Sequence, residues 1–149
     1  MISRTYDEMT GKGQLDSATF RLFEKGGFLQ YKIFLDVSFA VVISEVGKTP
    51  WVAFTSRFNE WAMVGNQAFL SLIDGERFSA EGNLRDSRTE ILGNDVMCCE
   101  EMHVQVPMEW LEAVAKSENA KIRVIGSDFT LDDSIKNELK LLLQEVSAI

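Results

Sequence analysis

Histidine 103 is the chain's only histidine, so any Ser-His-Asp or Cys-His catalyst would have to use it. It follows the run Cys98-Cys99-Glu100-Glu101-Met102, which holds both cysteines of the chain. Read as a strand, this segment puts Cys99, Glu101, His103 and Gln105 on one face. Val96, Cys98, Glu100, Met102 and Val104 take the other. The first set has the residue types of a metal site. However, positions four apart on a strand are separated by roughly 13 Å. One zinc ion needs its ligands at about 2.0–2.3 Å. The same separation keeps a cysteine nucleophile from His103 as its base. Neither a metal nor a catalytic residue is expected here, and no cofactor is implied.

Two further motifs fail at their decisive positions. Gly47-Lys48-Thr49 ends like a phosphate-binding loop, but the glycine required five positions earlier is Val42. Asp128, Thr130, Asp132 and Ser134 alternate like a calcium loop. Its sixth position is Asp133 instead of glycine, and its twelfth is Leu139 instead of glutamate. Helix capping explains these carboxylates more simply. No spacing selects one carboxylate pair for hydrolysis.

Two groups suit binding better. Arg57, Arg77, Arg85 and Arg88 fall in or near expected loops and could converge on an anionic ligand or an acidic partner. Pairing with Glu60, Glu76, Glu81 and Asp86 is their ordinary fate. Trp51, Phe54, Phe58, Trp61 and Phe69 form an aromatic-rich stretch. Core packing is the ordinary use of such residues, and a pocket or partner-binding patch the sharper one. The residues nominated for ligand or partner contact are therefore Trp51, Phe54, Arg57, Trp61, Arg77, Arg85, Arg88 and His103.

The elements that must position them follow from the hydrophobic pattern. Residues 1–16 are polar and read as an N-terminal arm, ahead of a single domain over 17–149. Strands are expected at 18–24 and 28–36, joined by Lys25-Gly26-Gly27, and at 37–44, continuing past a bulge or forming a new strand. Residues 47–50 read as a loop, 51–55 as a strand and 59–64 as a short strand. Asp74-Gly75 is the cleanest hairpin signal, joining 69–73 to 76–79. Residues 81–85 read as loop. A second hairpin turns about Gly93-Asn94, between 88–92 and 95–106.

Helical spacing then appears. Pro107 suits a first turn, and Met108, Leu111 and Val114 predict a short helix over 107–117. A hairpin at 121–131 precedes an amphipathic helix near 133–147, capped by Asp132 or Asp133. Its apolar stripe is Ile135, Leu139, Leu142, Val146 and Ile149. Strand runs followed by this mixed segment predict an α+β fold, mainly an antiparallel sheet of hairpins.

Charge narrows the partners. Net charge is −8. Residues 1–88 carry ten Lys/Arg against eleven Asp/Glu, and residues 89–149 five against twelve. Such an acidic half repels a phosphate backbone, so nucleic acid is disfavoured. No run is long and apolar enough to span a bilayer. No basic flank followed by an apolar stretch marks a signal peptide. With no disulfide framework, a cytoplasmic location is expected. The sequence thus predicts a non-catalytic protein-interaction domain that binds another protein or itself as a homodimer. The alternatives are a small-ligand-binding domain with an aromatic pocket and a carboxylate-based enzyme.

Overall fold

Eleven strands and two helices make an α+β fold in the computed structural model, which describes residues 1–27 and 31–149. The strands are β1 (Ser3–Asp7), β2 (Lys12–Asp16), β3 (Phe20–Lys25), β4 (Ile33–Ser44), β5 (Gly47–Phe58), β6 (Ala68–Ile73), β7 (Glu76–Glu81), β8 (Asn83–Leu92), β9 (Asp95–Gln105), β10 (Ala120–Val124) and β11 (Ser127–Thr130). The helices are α1 (Met108–Ala115) and α2 (Asp133–Ser147).

All described pairings are antiparallel and form two sheets. The larger runs β1-β2-β4-β5-β9-β8, with β3 also on β4. Strands β2 and β3 lie end to end along one edge of β4, against residues 40–43 and 33–37 respectively. The smaller sheet runs β11-β10-β6-β7.

Period-two burial explains the large sheet. Leu35, Val37, Phe39, Val41 and Ile43 of β4 are buried, as are Val52 and Phe54 of β5 and Met102 and Val104 of β9. Their neighbours in the chain face outward. The small sheet contributes Phe69, Ile73, Ala120, Ile122 and Val124 to the same core. Helix α1 inserts Trp110, whose ring meets Phe69 edge-on at 5.8 Å and lies 6.5 Å from Phe39. Its indole Nε1 donates to Ser71 Oγ at 2.9 Å, so the buried polar edge is satisfied. Helix α2 buries Ile135, Leu139, Leu142 and Val146, and Asp132 caps it by accepting from the Ile135 N–H at 3.1 Å.

The two sheets share one strand of chain. β7 ends at Glu81 and β8 begins at Asn83, so the ribbon crosses from the small sheet to the large one at Gly82. The Gly82 N–H donates to the Gln67 carbonyl at 2.7 Å. A Cβ there would stand 2.5 Å from Met102 Sδ and 3.1 Å from the Gln67 carbonyl oxygen, so any larger residue must displace the Met102 side chain.

Several expectations differ in detail. Residues 3–16, expected as a polar arm, form the β1–β2 hairpin, and only Leu15 of it is fully buried among the strand residues. β1 is the outermost strand of the sheet, while β2 is paired on both sides, to β1 and β4. Residues 47–50 open β5, because the turn falls earlier, at Glu45-Val46. Residues 59–64 are bends running into a turn and form no strand, whereas 83–85, expected as loop, are strand. β4 is a single strand through residues 33–44. The expected start of that strand at residues 28–30 lies outside the described residues. Lys136 and Glu138, placed off the apolar stripe of α2, are nevertheless buried. The Lys136 ammonium donates to the Glu118 carbonyl at 3.0 Å, and Glu138 accepts from the Ala18 N–H. Among the described residues no helix is long and apolar enough to cross a membrane.

Candidate functional site

The small sheet is apolar on both faces at its centre. In β6, Phe69, Ser71 and Ile73 point to the core while Leu70 and Leu72 point out, 39% and 43% exposed. In β10, Lys121 and Arg123 alternate outward in the same way. The pairing registers set these side chains in two rows across the outer face. One row reads Thr130, Lys121, Leu72, Arg77, and the next Asp128, Arg123, Leu70, Ser79. Side chains opposite each other in a row stand about 5 Å apart at Cβ.

Each leucine therefore lies beside a cation. Arg123 is neutralised by Asp128, with Nε 2.6 Å from Oδ1. The Arg123 hydrogen bond holds the Asp128 carboxyl below its ordinary range, and Lys121 adds a weaker Coulombic pull. Arg77 and Lys121 have no carboxylate within salt-bridge distance among the described residues. The face encloses a groove of about 620 Å³.

A second groove, about 590 Å³, lies on the other side of β7, between this strand and α1. Ile73, Phe78, Trp110 and Ala113 give it an apolar wall, and its charged lining is Asp74, Glu76 and Glu109 with Arg77 and Lys116. Arg77 and Phe78 line both grooves. Consecutive side chains leave opposite faces, so Arg77 points to the outer side of β7 and Phe78 to the side of α1. β7 pairs with β6 on one side and with no described strand on the other. It is thus an open edge with a groove above and a groove below. The β6–β7 turn is held in place by Asp74, whose carboxylate accepts from the N–H groups of Glu118 and Asn119.

The residues nominated from sequence fall in several places. Trp51, Arg85 and His103 meet on the outer face of the large sheet. The Arg85 guanidinium lies 5.7 Å from the Trp51 ring centroid, and the His103 ring 6.5 Å from it. His103 Nε2 stands 3.2 Å from Glu101 Oε2. Arg57 and Arg88 flank Cys99 on the same face, in a row set by the register. Arg57 donates to the Lys32 carbonyl at 2.8 Å and lies over the Phe34 ring. Phe54 points the opposite way, fully buried, its ring centroid 5.9 Å from that of Phe69. Trp61 is exposed in the bend after β5. Trp51, Phe54, Trp61 and Phe69 therefore do not line one pocket. Of the eight nominated residues, Arg77 alone lines the two grooves.

The large sheet's outer face has little chemistry. Its central positions are the small Ser38, Ala40, Ala53 and Thr55. Cys98 and Cys99 are buried and unbridged, and burial pushes both thiols up, which disfavours a nucleophilic thiolate. Among the described residues no three His, Cys, Asp or Glu side chains gather as metal ligands.

Sequence reasoning passed over Leu70, Leu72, Lys121 and Arg123. The available signal was the run Ala68-Phe69-Leu70-Ser71-Leu72-Ile73, which is apolar at both parities beside an Asp-Gly turn. A hairpin strand of that kind has one apolar face more than its core requires. The chain matches no family model, no curated protein and no solved structure.

Proposed function

We propose that this domain is a protein-interaction module that receives an extended segment of another protein along β7. The observation that carries this reading is the open edge of β7 with an apolar-walled groove on each of its faces. Added strands use the unpaired N–H and C=O groups of an edge for affinity. They use flanking pockets for alternate side chains, which gives specificity. Natural proteins usually blunt such edges. β8, the continuation of the same ribbon, is blunted by Arg85, Asp86, Arg88 and Glu90 and by a bulge between Leu84 and Asp86. β7 has charge at Glu76, Arg77 and Glu81, but its middle is Phe78, Ser79 and Ala80.

The test is selection of short peptides from a random display library on the purified chain, followed by backbone amide exchange. Bound peptides are expected to slow exchange within residues 76–81 and to lose affinity when alternate peptide nitrogens are methylated. Peptides that bind equally well when methylated, or that protect no amide of β7, would overturn the reading. So would a stable dimer in light scattering that buries β7 against its own copy.

A further inference from the structure

We infer that the segment received along β7 reads, in antiparallel pairing, long apolar, apolar, acidic from its N- to its C-terminal side. These three residues stand opposite Ser79, Phe78 and Arg77. This inference rests on the strand-addition reading and adds the chemistry of the partner.

The pattern follows position by position. An added strand lies about 4.8 Å outside β7, with its side chains in register with those of β7. The residue opposite Arg77 faces outward beside a guanidinium that has no acidic partner among the described residues. A carboxylate there completes a charge-assisted pair, and Lys121 stands two strands further in, across Leu72. The residue opposite Phe78 faces inward, into the groove walled by Ile73, Trp110 and Ala113, so it is apolar. The residue opposite Ser79 faces outward again. Ser79 is small and leaves Leu70 uncovered behind it, so a long apolar side chain can reach over the serine to the leucine. Glu81 shares the outer face two positions beyond Ser79 and repels an acid at that end. Arg77 and Glu81 thus give the edge a polarity that sets the direction of the bound segment. Antiparallel pairing is the choice because every described ladder is antiparallel and such pairs are the more common kind.

The chain's net charge of −8 opposes an acidic partner at a distance. Contact is decided more locally. The Debye length is about 8 Å at physiological salt, so a carboxylate beside Arg77 is little affected by acids on the far surface.

The experiment uses four labelled synthetic peptides that share neutral flanks, titrated against the intact chain by fluorescence anisotropy. Their central triplets are Phe-Leu-Glu, the reversed Glu-Leu-Phe, Phe-Leu-Lys and Ser-Ser-Glu. Phe-Leu-Glu is expected to bind about tenfold or more tighter than each of the others, as one lost pair or anchor implies. Arg77→Glu is expected to invert the preference between the Glu and Lys peptides. The side chain is exposed, and circular dichroism checks that the fold is retained. If the Glu and Lys peptides bind alike, or if Arg77→Glu leaves their order unchanged, the inferred chemistry is wrong while strand addition stands. If none of the four binds or protects β7 amides, yet library-selected peptides do, the pattern alone is overturned. If neither set does, both readings fall.

Discussion

Glu100 is the buried charged residue that accepts the most hydrogen bonds from backbone N–H groups among the described residues, so its removal should cost stability. Its carboxylate is buried on the core face of β9 and accepts from the N–H groups of Ala62, Met63 and Val64 at 2.7–3.1 Å. Those bonds tie the bends after β5 to the sheet and seat Met63 in the core. Glu100→Gln keeps the shape but turns an NH₂ donor towards N–H donors. An expected loss of about 2–3 kcal/mol, read by urea unfolding, follows from leaving buried groups unmatched. Ser56 sits opposite Glu100 in the register, and its buried Oγ has no partner among the described residues. Ser56→Ala should therefore be nearly neutral, within about 0.5–1 kcal/mol. Glu138 gives a pH signature. Burial alone would raise its pKa. The hydrogen bond from the Met1 ammonium and that from the Ala18 N–H outweigh burial and hold the carboxyl below its ordinary range. A depressed folded pKa stabilises above the unfolded value and is lost as pH falls through the folded one. In Glu138→Gln the urea midpoint should fall near neutral pH and vary less on acidification below about pH 4. An unchanged acid limb would mean the pairing adds no stability. Alternation along 96–104 set Glu100 among apolar neighbours, but its partners lie some 36–38 positions away, beyond what periodicity reports.

At the scale of elements, the ribbon through Gly82 joins the candidate edge to the large sheet. Gly82→Ala places a methyl 2.5 Å from Met102 Sδ and 3.1 Å from the Gln67 carbonyl oxygen. An expected cost of about 1–3 kcal/mol follows for overpacking a filled core. Met102→Ala empties core space and costs stability of its own, but in the double mutant the two losses should sum to less than the separate costs, and a double-mutant cycle measures that coupling. Gly65→Ala, where nothing lies within 4 Å, is the control. The same ribbon shows what was legible in advance. Asp74 and Gly75 take φ values of 47° and 87°, which local residue chemistry specifies, and their hairpin falls where the Asp-Gly signal put it. The α2 cap and stripe are local in the same sense. Residues 81–85 read as loop because the strand there exchanges one partner for another, β6 for β9, and a partner exchange leaves no period of its own. β1 was hidden because an edge strand can be polar on both faces, and β2, though paired on both sides, buries only Leu15 fully. The aromatics between 51 and 69 were visible as a group, but parity sends Trp51 and Phe54 to opposite faces.

The whole molecule opposes the partner that its small sheet fits, and salt should separate the two effects. The chain carries −8, whereas the outer face of the small sheet presents Arg77, Lys121 and Arg123 against Asp128 and Glu81. At physiological salt, with a Debye length of about 8 Å, an approaching Phe-Leu-Glu peptide senses mainly the local cations. At about 0.01 M salt the Debye length is about 30 Å, comparable to the molecule, and the peptide senses the net charge. Dissociation, governed by the contact itself, should slow as salt is removed. Association, governed by the long-range field, should level off or decline instead of rising as for a uniformly basic binder. Stopped-flow anisotropy across that range separates the two rates. An association rate that climbs steadily by about tenfold or more would show that the local patch dominates at every distance. Leu70→Ser provides the complementary control. Leu70 is 39% exposed, so its loss should shift stability by no more than about 0.5–1 kcal/mol. It should weaken the peptide through faster dissociation, leaving the salt dependence of association as it was, because serine changes the contact and not the field.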